Sequence, residues 1–285
     1  LVPGDTICLI GTTSERIPYD QIDNMFVSQE DVDVLIREGV KLSPSLATTR
    51  ILRAYAGVRP LVAADDDPTG RSISRGIVLL DHQERDGLSG FITITGGKLM
   101  TYRLMAEEAT DLICKKLAVD KQCETADKPL PGSEKSDLSL ENATEKIYSG
   151  SSIAQKSAKD RHGSLAHKAS NGDSNDDSLV CECEGVSIGE VKYAINELHV
   201  NNLIDLRRRT RVGMGTCQGE LCACRAAGLL CESMQEPGKA KDDLANFLQE
   251  RWKGMSSIAW GETINEVQFT SWIYEGIYGL KPDNN

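Results

Sequence analysis

In the first part of the chain, some stretches have the hydrophobic pattern of β-strands and others have the helical period. GIVLLDH and GFITITGG predict two strands, separated by a turn in QERDGLSG, and DTICLIGTT and ILRAYAGVRPLV predict further strands. After Gly97 the period becomes helical, and LMTYRLMAEEATDLICKKL predicts a helix whose last turn carries Lys115 and Lys116. SQEDVDVLIREGVKL predicts another helix, with Ser28 as its N-cap. Strands and helices in this arrangement predict an α+β fold.

The pattern changes three times along the chain, which predicts four segments. After the mixed segment 1–126, residues 127–178 are dominated by Ser, Lys, Asp, Asn and Gly, which predicts a polar linker or a loosely ordered surface segment. Residues 179–234 predict a second, compact helical unit. Residues 235–285 form a helical, aromatic-rich tail, and two interpretations of it stay open: a docking surface for a partner, or packing on the chain's own catalytic domain.

Charge and hydropathy argue against a nucleic-acid ligand and against a membrane-spanning segment. The formal net charge of -11 over 285 residues argues against a nucleic-acid ligand, whose phosphates require a basic face. No stretch approaches the roughly 18 apolar residues that span a bilayer, so membrane contact is expected to be peripheral. The chain opens on Leu1 without an initiator Met or a targeting signal, which predicts a fragment that begins inside a domain.

Cysteines provide the most specific pattern in the sequence. Six of the nine lie between Cys181 and Cys231, and four of them follow the pattern C-x-C, 33 residues, C-x4-C at Cys181, Cys183, Cys217 and Cys222. Two pairs of thiolates are what a [2Fe-2S] cluster requires, because each iron takes two cysteine ligands. A zinc site built from the same four thiolates stays open, since spacing alone does not separate the two.

The sequence around these cysteines predicts how they are presented. Ser187 and Glu190 have the spacing of a capping box that begins a helix, which breaks at Asn201 and Asn202 before a second helix. Glycines around Cys217 allow the backbone to approach sulfur and donate N–H groups to it. A third helix is predicted to begin near Gln218 and to carry Cys222 inward, with Cys224 pointing away from the site.

Residues 179–234 resemble the bacterioferritin-associated ferredoxin-like domain, a small all-helical [2Fe-2S] module with this cysteine pattern. The resemblance implies that Cys181, Cys183, Cys217 and Cys222 are the metal ligands. It also implies that nearby arginines offset the negative charge of the cluster; these are Arg207, Arg208, Arg209 and Arg211.

In the first segment, TGGKLMTYR places a Gly-Gly turn between a strand and a helix, which is typical of an anion site. Together with ILRAYAGVRPLV and ISRGIVLLDH it closely resembles the FAD-dependent glycerol-3-phosphate dehydrogenases over about residues 1–131. The resemblance makes residues 1–126 the C-terminal part of such a dehydrogenase domain. It implies that the substrate phosphate is bound by Arg59, Arg75 and Lys98, and that FAD contacts Gly96, Gly97, Lys98 and Leu99.

One chain that combines the dehydrogenase segment with the cluster domain resembles the anaerobic type within that family. It implies oxidation of sn-glycerol 3-phosphate to dihydroxyacetone phosphate, hydride transfer to FAD, and electron exit through the [2Fe-2S] cluster to membrane quinone. It further implies flavin- and iron-sulfur-containing partner subunits, and a cytoplasmic location at the inner face of the cell membrane. No catalytic base is assigned. The fingerprint G-x-G-x-x-G is absent, so this fragment alone is expected to be inactive.

A function of another class stays open. The cysteine domain would then be an iron-sulfur or zinc module for docking or sensing, which binds a partner without redox turnover. The presence of Arg59, Arg75 and Lys98 argues against it, since such a module has no need of a substrate-phosphate site.

Overall fold

The computed structural model describes residues 1–3, 7–59, 76–133, 153–170 and 175–280. The chain divides into two compact units, one of residues 1–11, 26–56 and 130–285 and the other of residues 12–25 and 57–129. Small antiparallel sheets combined with many helices confirm the predicted α+β class. None of the helices in the described ranges has the length and apolar character needed to cross a membrane.

The regular elements are short and follow one another closely. The strands are β1 Val2–Pro3, β2 Cys8–Leu9, β3 Ile77–Asp81, β4 Ile92–Gly96, β5 Leu179–Cys181 and β6 Val186–Ser187. The α-helices are α1 Gln29–Leu42, α2 His82–Asp86, α3 Tyr102–Lys116, α4 Ile153–His162, α5 Ile188–Leu198, α6 Leu203–Thr210, α7 Ala223–Met234, α8 Lys239–Met255 and α9 Glu262–Ser271. A π-helix, Trp272–Ile277, continues α9.

The smaller unit is built on the hairpin of β3 and β4. The strands pair antiparallel, with Ile77 opposite Gly96 and Asp81 opposite Ile92, which confirms the two strands predicted there. The predicted turn between them contains α2, capped by the Asp81 side chain, which accepts from the Gln83 N–H. Helix α3 packs on both strands and ends at the predicted Lys116, whose ammonium lies 2.6 Å from the Asp81 carboxylate.

The hydrophobic core of the larger unit includes Cys181 and Cys222. Helices α5, α6, α7 and α8 pack on one another, and their apolar faces exclude water almost completely. Removing this apolar surface from water contributes roughly 25 cal/mol per Å², so these contacts are the main stabilising term of the unit. The core residues that are at most 2% exposed include Val180, Val186, Val191, Leu203, Leu206, Leu230, Phe247 and Tyr274.

Helix N-caps in this unit follow the sequence rules, with one difference. Ser28 and Ser187 cap α1 and α5 as predicted, their hydroxyls accepting the N–H groups of Asp31 and Glu190. The Glu190 carboxylate, however, is bound by Arg161 and His162 of α4. The reciprocal contact of a capping box is therefore replaced by a contact across the unit.

Three predictions of local structure are wrong within the described residues. Residues 51–59 form no strand, because the Ala54 N–H donates to the Gly254 carbonyl at the end of α8. The predicted strand at 5–13 is reduced to Cys8–Leu9 among the residues described there. The third helix begins at Ala223, because Gln218 has a left-handed φ of 49° that a helix does not accommodate.

The segment 127–178 contains ordered structure that its composition did not predict. Helix α4 and a following 3-10 helix, Gly163–Ala169, pack on α5 and β6 of the cysteine unit. Their buried contacts come from Ala154, Ala158 and Ala169, which leave little apolar periodicity to read. The domain boundaries stay predictions, but a helix lies within the segment assigned to a linker.

The aromatic tail separates into a buried and an exposed set. Phe247 and Tyr274 are 2% and 1% exposed and belong to the core beneath the cysteines. Trp252, Phe269 and Trp272 are at least half exposed. The buried pair makes α8 and the π-helix structural parts of the cysteine unit, which neither interpretation of the tail had anticipated.

Candidate functional site

The four cysteines of the motif come together on two loops. Cys181 ends β5 and Cys183 lies in the turn before β6, while Cys217 lies in the loop after α6 and Cys222 immediately precedes α7. Cys222 is hydrogen bonded to the thiols of Cys181 and Cys217, and Cys217 is also hydrogen bonded to Cys183. Cys181 and Cys222 are buried, and the other two are partly exposed. The sequence motif is therefore one spatial group.

The contacts between these thiols change their acidity. Hydrogen bonding from Cys222, aided by backbone N–H groups, lowers the pKa of Cys217 to about 5 and that of Cys181 to about 7. The pKa of Cys222 is raised, because its thiol donates to both neighbours and is buried. Thiolates are the form that binds iron or zinc, so the surroundings favour the ligand state at Cys181 and Cys217, and Cys222 must lose its proton when metal binds.

Backbone N–H groups point at the sulfurs from both loops. Cys181 accepts from Gly213 and Glu184, and Cys217 accepts from Gly219 and Leu221. Such donors stabilise negative charge on ligand sulfurs and tune iron-sulfur potentials. The donor set and its N–H groups therefore fit a [2Fe-2S] cluster, as the glycines around Cys217 had indicated.

Two of these donors require glycine for a physical reason. Gly213 and Gly219 have φ of +77° and +92°, which side-chain-bearing residues rarely adopt. A Cβ on Gly219 would lie 2.4 Å from Cζ of Phe247, so that buried ring sets how closely the loop packs. Phe247 of the C-terminal tail thus limits how closely the loop around Cys217 can pack.

The thiols contact one another directly and do not surround a single point. Among the described residues no three Cys, His, Asp or Glu side chains are grouped in a way that could hold one metal ion. A [2Fe-2S] cluster does not require such a grouping, because its four thiolates bind in two pairs to two irons.

Ion pairs surround the site. The Arg211 guanidinium lies 2.6 Å from the Glu184 carboxylate, and Arg225 binds the Glu182 carboxylate with two hydrogen bonds. Arg209 lies 3.6 Å from Asp205. Two of the arginines expected to offset cluster charge therefore already have carboxylate partners, which reduces their net effect at the sulfurs.

Three buried or half-buried arginines form a group that the sequence did not predict, although Arg207 alone was expected to offset cluster charge. They are Arg53, Arg207 and Arg251, on the segment before Arg59, on α6 and on α8. The pKa of Arg207 is lowered to about 10, chiefly by burial and then by the positive charge of Arg53. The Arg53 guanidinium donates to the Glu250 carbonyl, which satisfies part of this buried charge. No periodicity or motif marks such a group, since its members are far apart in sequence.

Two of the predicted substrate ligands lie in the smaller unit. Arg59 is half-buried, and its guanidinium donates to Ser14 Oγ at 3.2 Å and to Thr12 Oγ1 at 3.3 Å. Lys98 is exposed on the turn after β4. Arg75 lies outside the described residues. Arg103, which the pattern left without a role, donates to the carbonyls of Thr125 and Lys128 and therefore holds the chain after α3.

The Gly-Gly turn has the conformation that glycine allows. Gly96 and Gly97 have φ of +78° and +69°, and a Cβ on Gly96 would lie 2.2 Å from the Gly76 carbonyl oxygen. Thr101 Oγ1 accepts from the Lys98 N–H at 2.9 Å and closes the turn before α3. Leu99 is 88% exposed. Internal contacts alone require the glycines, so their contacts with FAD stay a prediction.

Comparison with known proteins connects two parts of the chain to characterised families. The model of the BFD-like [2Fe-2S] binding domain matches residues 179–232, and that of the FAD dependent oxidoreductase matches residues 1–103. Proteins named as one subunit of anaerobic glycerol-3-phosphate dehydrogenase are 63% identical in Haemophilus influenzae and 59% identical in Escherichia coli K12, over 98% and 99% of this chain. The corresponding protein of Haloferax volcanii is 39% identical over 94% of it.

The chain covers 49%, 52% and 45% of the lengths of these three relatives. It therefore spans about half the length of the curated relatives it matches. The two matched families are those that the residues at the Gly-Gly turn and at the cysteines had indicated.

Proposed function

We propose that this chain, which belongs to the FAD-dependent glycerol-3-phosphate dehydrogenase family, forms part of an enzyme that oxidises sn-glycerol 3-phosphate to dihydroxyacetone phosphate. Electrons then leave through a [2Fe-2S] cluster toward membrane quinone. The observation that carries the proposal is the convergence of four thiols and four N–H donors in a chain that also matches the FAD dependent oxidoreductase model.

Cys181, Cys183, Cys217 and Cys222 would hold the cluster, and Gly96, Gly97, Lys98 and Leu99 would contact the flavin. Bound FAD supplies a two-electron acceptor for hydride from C2 of the substrate, and a bound [2Fe-2S] cluster supplies a one-electron carrier. The protein residues bind and orient these groups. The names of the relatives described above, each given as one component of a larger enzyme, support the presence of further subunits. Through such partners the enzyme would associate peripherally with the inner face of the membrane.

We propose that Arg59 binds the substrate phosphate, and its contacts with two hydroxyl groups support this role. Ser14 and Thr12 each accept from one terminal nitrogen of its guanidinium, which orients the planar fork, and each terminal nitrogen carries a second N–H that could donate to a phosphate oxygen. With Lys98 and Arg75, this fork would balance a dianionic phosphate and fix the substrate carbon relative to the flavin.

The test of the cluster is a metal and spectral analysis of the anaerobically purified chain. We expect two irons and two sulfides per chain, visible absorption that bleaches with dithionite, and a rhombic electron paramagnetic resonance signal on reduction. A colourless protein with one zinc per chain would overturn the electron-transfer proposal and favour a docking module.

A substitution at Arg59 tests the substrate site. We expect Arg59→Lys in the intact dehydrogenase to raise KM for glycerol 3-phosphate about 10-fold, because an ammonium cannot reproduce two parallel N–H contacts. Arg85→Lys is the matched control, since Arg85 lies in the same unit and is 60% exposed beside Asp86. An unchanged KM in the Arg59 variant would remove Arg59 from the phosphate site.

A further inference from the structure

One hydroxyl in the cysteine loop is directed at a ligand sulfur. Thr216 Oγ1 lies 3.4 Å from Cys183 Sγ. Between a thiol and a hydroxyl, either group can donate. A thiolate that binds iron has no proton left, so in the loaded site the Thr216 hydroxyl must be the donor.

The backbone at Thr216 is held from two sides. Arg50 donates from Nη2 to the Thr216 carbonyl at 2.6 Å, and its Nη1 lies 3.1 Å from the Glu266 carboxylate. On the other side, a Cβ on Gly215 would lie 2.4 Å from Cβ of Cys183, so only glycine lets the loop approach this closely. These contacts fix the backbone that carries the Thr216 side chain and place its hydroxyl within reach of Cys183 Sγ.

We infer that Thr216 is a positioning residue that raises the reduction potential of the [2Fe-2S] cluster by donating a hydrogen bond to Cys183, and that Arg50 holds Thr216 in place. The inference rests on the proposed function. Reduction adds an electron to a group that is already anionic, so a donor at a ligand sulfur stabilises the reduced form more than the oxidised form.

Thr216 lies on the exposed side of the cysteine site, where its hydrogen bond to Cys183 can affect electron transfer. Cys183 and Cys217 are the partly exposed ligands, and Thr216 is exposed between them in sequence and space. A donor on this side stabilises charge where an electron carrier is nearest to solvent and to any docking partner. A higher potential favours electron transfer out of reduced flavin into the cluster.

The test is a redox titration of the holoprotein followed by electron paramagnetic resonance. We expect Thr216→Val, which keeps the shape and removes the hydroxyl, to lower the equilibrium constant of reduction about tenfold, or about 59 mV for one electron. Thr216→Ser keeps the hydroxyl and is expected to stay within about threefold of the unchanged protein. A valine variant that holds two irons and keeps the original potential would overturn the inference while leaving the proposed function intact.

Arg50→Lys separates positioning from charge, because it keeps the positive charge and loses the planar fork. We expect it to lower the potential when Thr216 is present and to have no further effect in the Thr216→Val background. Equal shifts in both backgrounds would show that Arg50 does not act through Thr216. If Thr216→Val and Thr216→Ala both lose iron and Thr216→Ser retains it, the hydroxyl serves cluster retention, and the assignment to potential is wrong.

Discussion

Under the proposed function, Cys217→Ala in the intact dehydrogenase is expected to eliminate the [2Fe-2S] cluster and to reduce quinone-linked turnover more than about 100-fold, with flavin reduction by glycerol 3-phosphate retained. Cys217 has the lowest pKa of the thiol group, about 5, and is hydrogen bonded to both Cys222 and Cys183. Its removal leaves one iron without a full set of ligands and removes the contact between Cys217 and Cys183 across the two loops. Iron content and the reduced resonance signal measure the cluster, steady-state quinone reduction measures turnover, and stopped-flow flavin bleaching measures flavin reduction.

Cys224→Ser is the matched control for this substitution. Cys224 lies two residues from Cys222 and packs partly against the core, outside the hydrogen-bonded group. The control is expected to keep two irons and normal turnover. Retention of the cluster in the Cys217 variant, with loss in the Cys224 variant, would assign the fourth ligand to Cys224. Normal quinone-linked turnover in a variant without a cluster would overturn the electron-transfer role.

Short-range chemistry explains the part of the fold that the sequence predicted. The β3–β4 hairpin and α3 depend on local periodicity, and Ser28 and Ser187 cap helices through contacts three residues away. The cysteine motif was also readable from the sequence, because the two cysteines of each pair are separated by only one or four residues. In each case the residues that decide the structure are neighbours in sequence.

Contacts between distant segments explain what the sequence did not predict. Helices α5, α6 and α7 end at non-glycine residues with left-handed φ, so the usual glycine signal is absent; these residues are His199, Arg211 and Gln235. Helix α4 is stabilised through Arg161 and His162, whose partner Glu190 lies 29 and 28 residues away. Arg50 reaches Thr216 across 166 residues. Composition and periodicity carry no information about such pairs.

Glu190→Gln is expected to reduce the free energy of unfolding by about 3 kcal/mol at neutral pH, as for other buried ion pairs that lose one partner. The Glu190 side chain is fully buried and binds Arg161 at 2.6 Å and His162 at 2.8 Å. Arg161 also donates to the carbonyls of Glu184 and Gly185, in the turn next to Cys183. A neutral amide would leave the guanidinium buried without its counter-charge, and urea unfolding followed by circular dichroism measures the cost.

Glu197→Gln on the same helix is the matched control. Its carboxylate lies 3.0 Å from Lys168, but both side chains are about half exposed, so the expected loss is below about 0.5 kcal/mol. Similar losses in the two variants would contradict the assignment of the buried pair as the contact that fixes α4 to the cysteine unit.

The pH dependence of the Glu190 effect has a defined sign. Burial raises the pKa of this carboxyl, but hydrogen bonds and charge from Arg161 and His162 outweigh burial and lower the pKa overall. The unfolded chain therefore takes up the proton first, and the stabilisation is complete above the unfolded value of about 4.3. It is lost as the pH falls through the lower, folded pKa. The stability difference between the unchanged protein and Glu190→Gln should thus shrink as the pH falls below about 4. A difference that grows on acidification would mean that the carboxyl is protonated in the folded protein and that Arg161 binds it as a neutral acceptor.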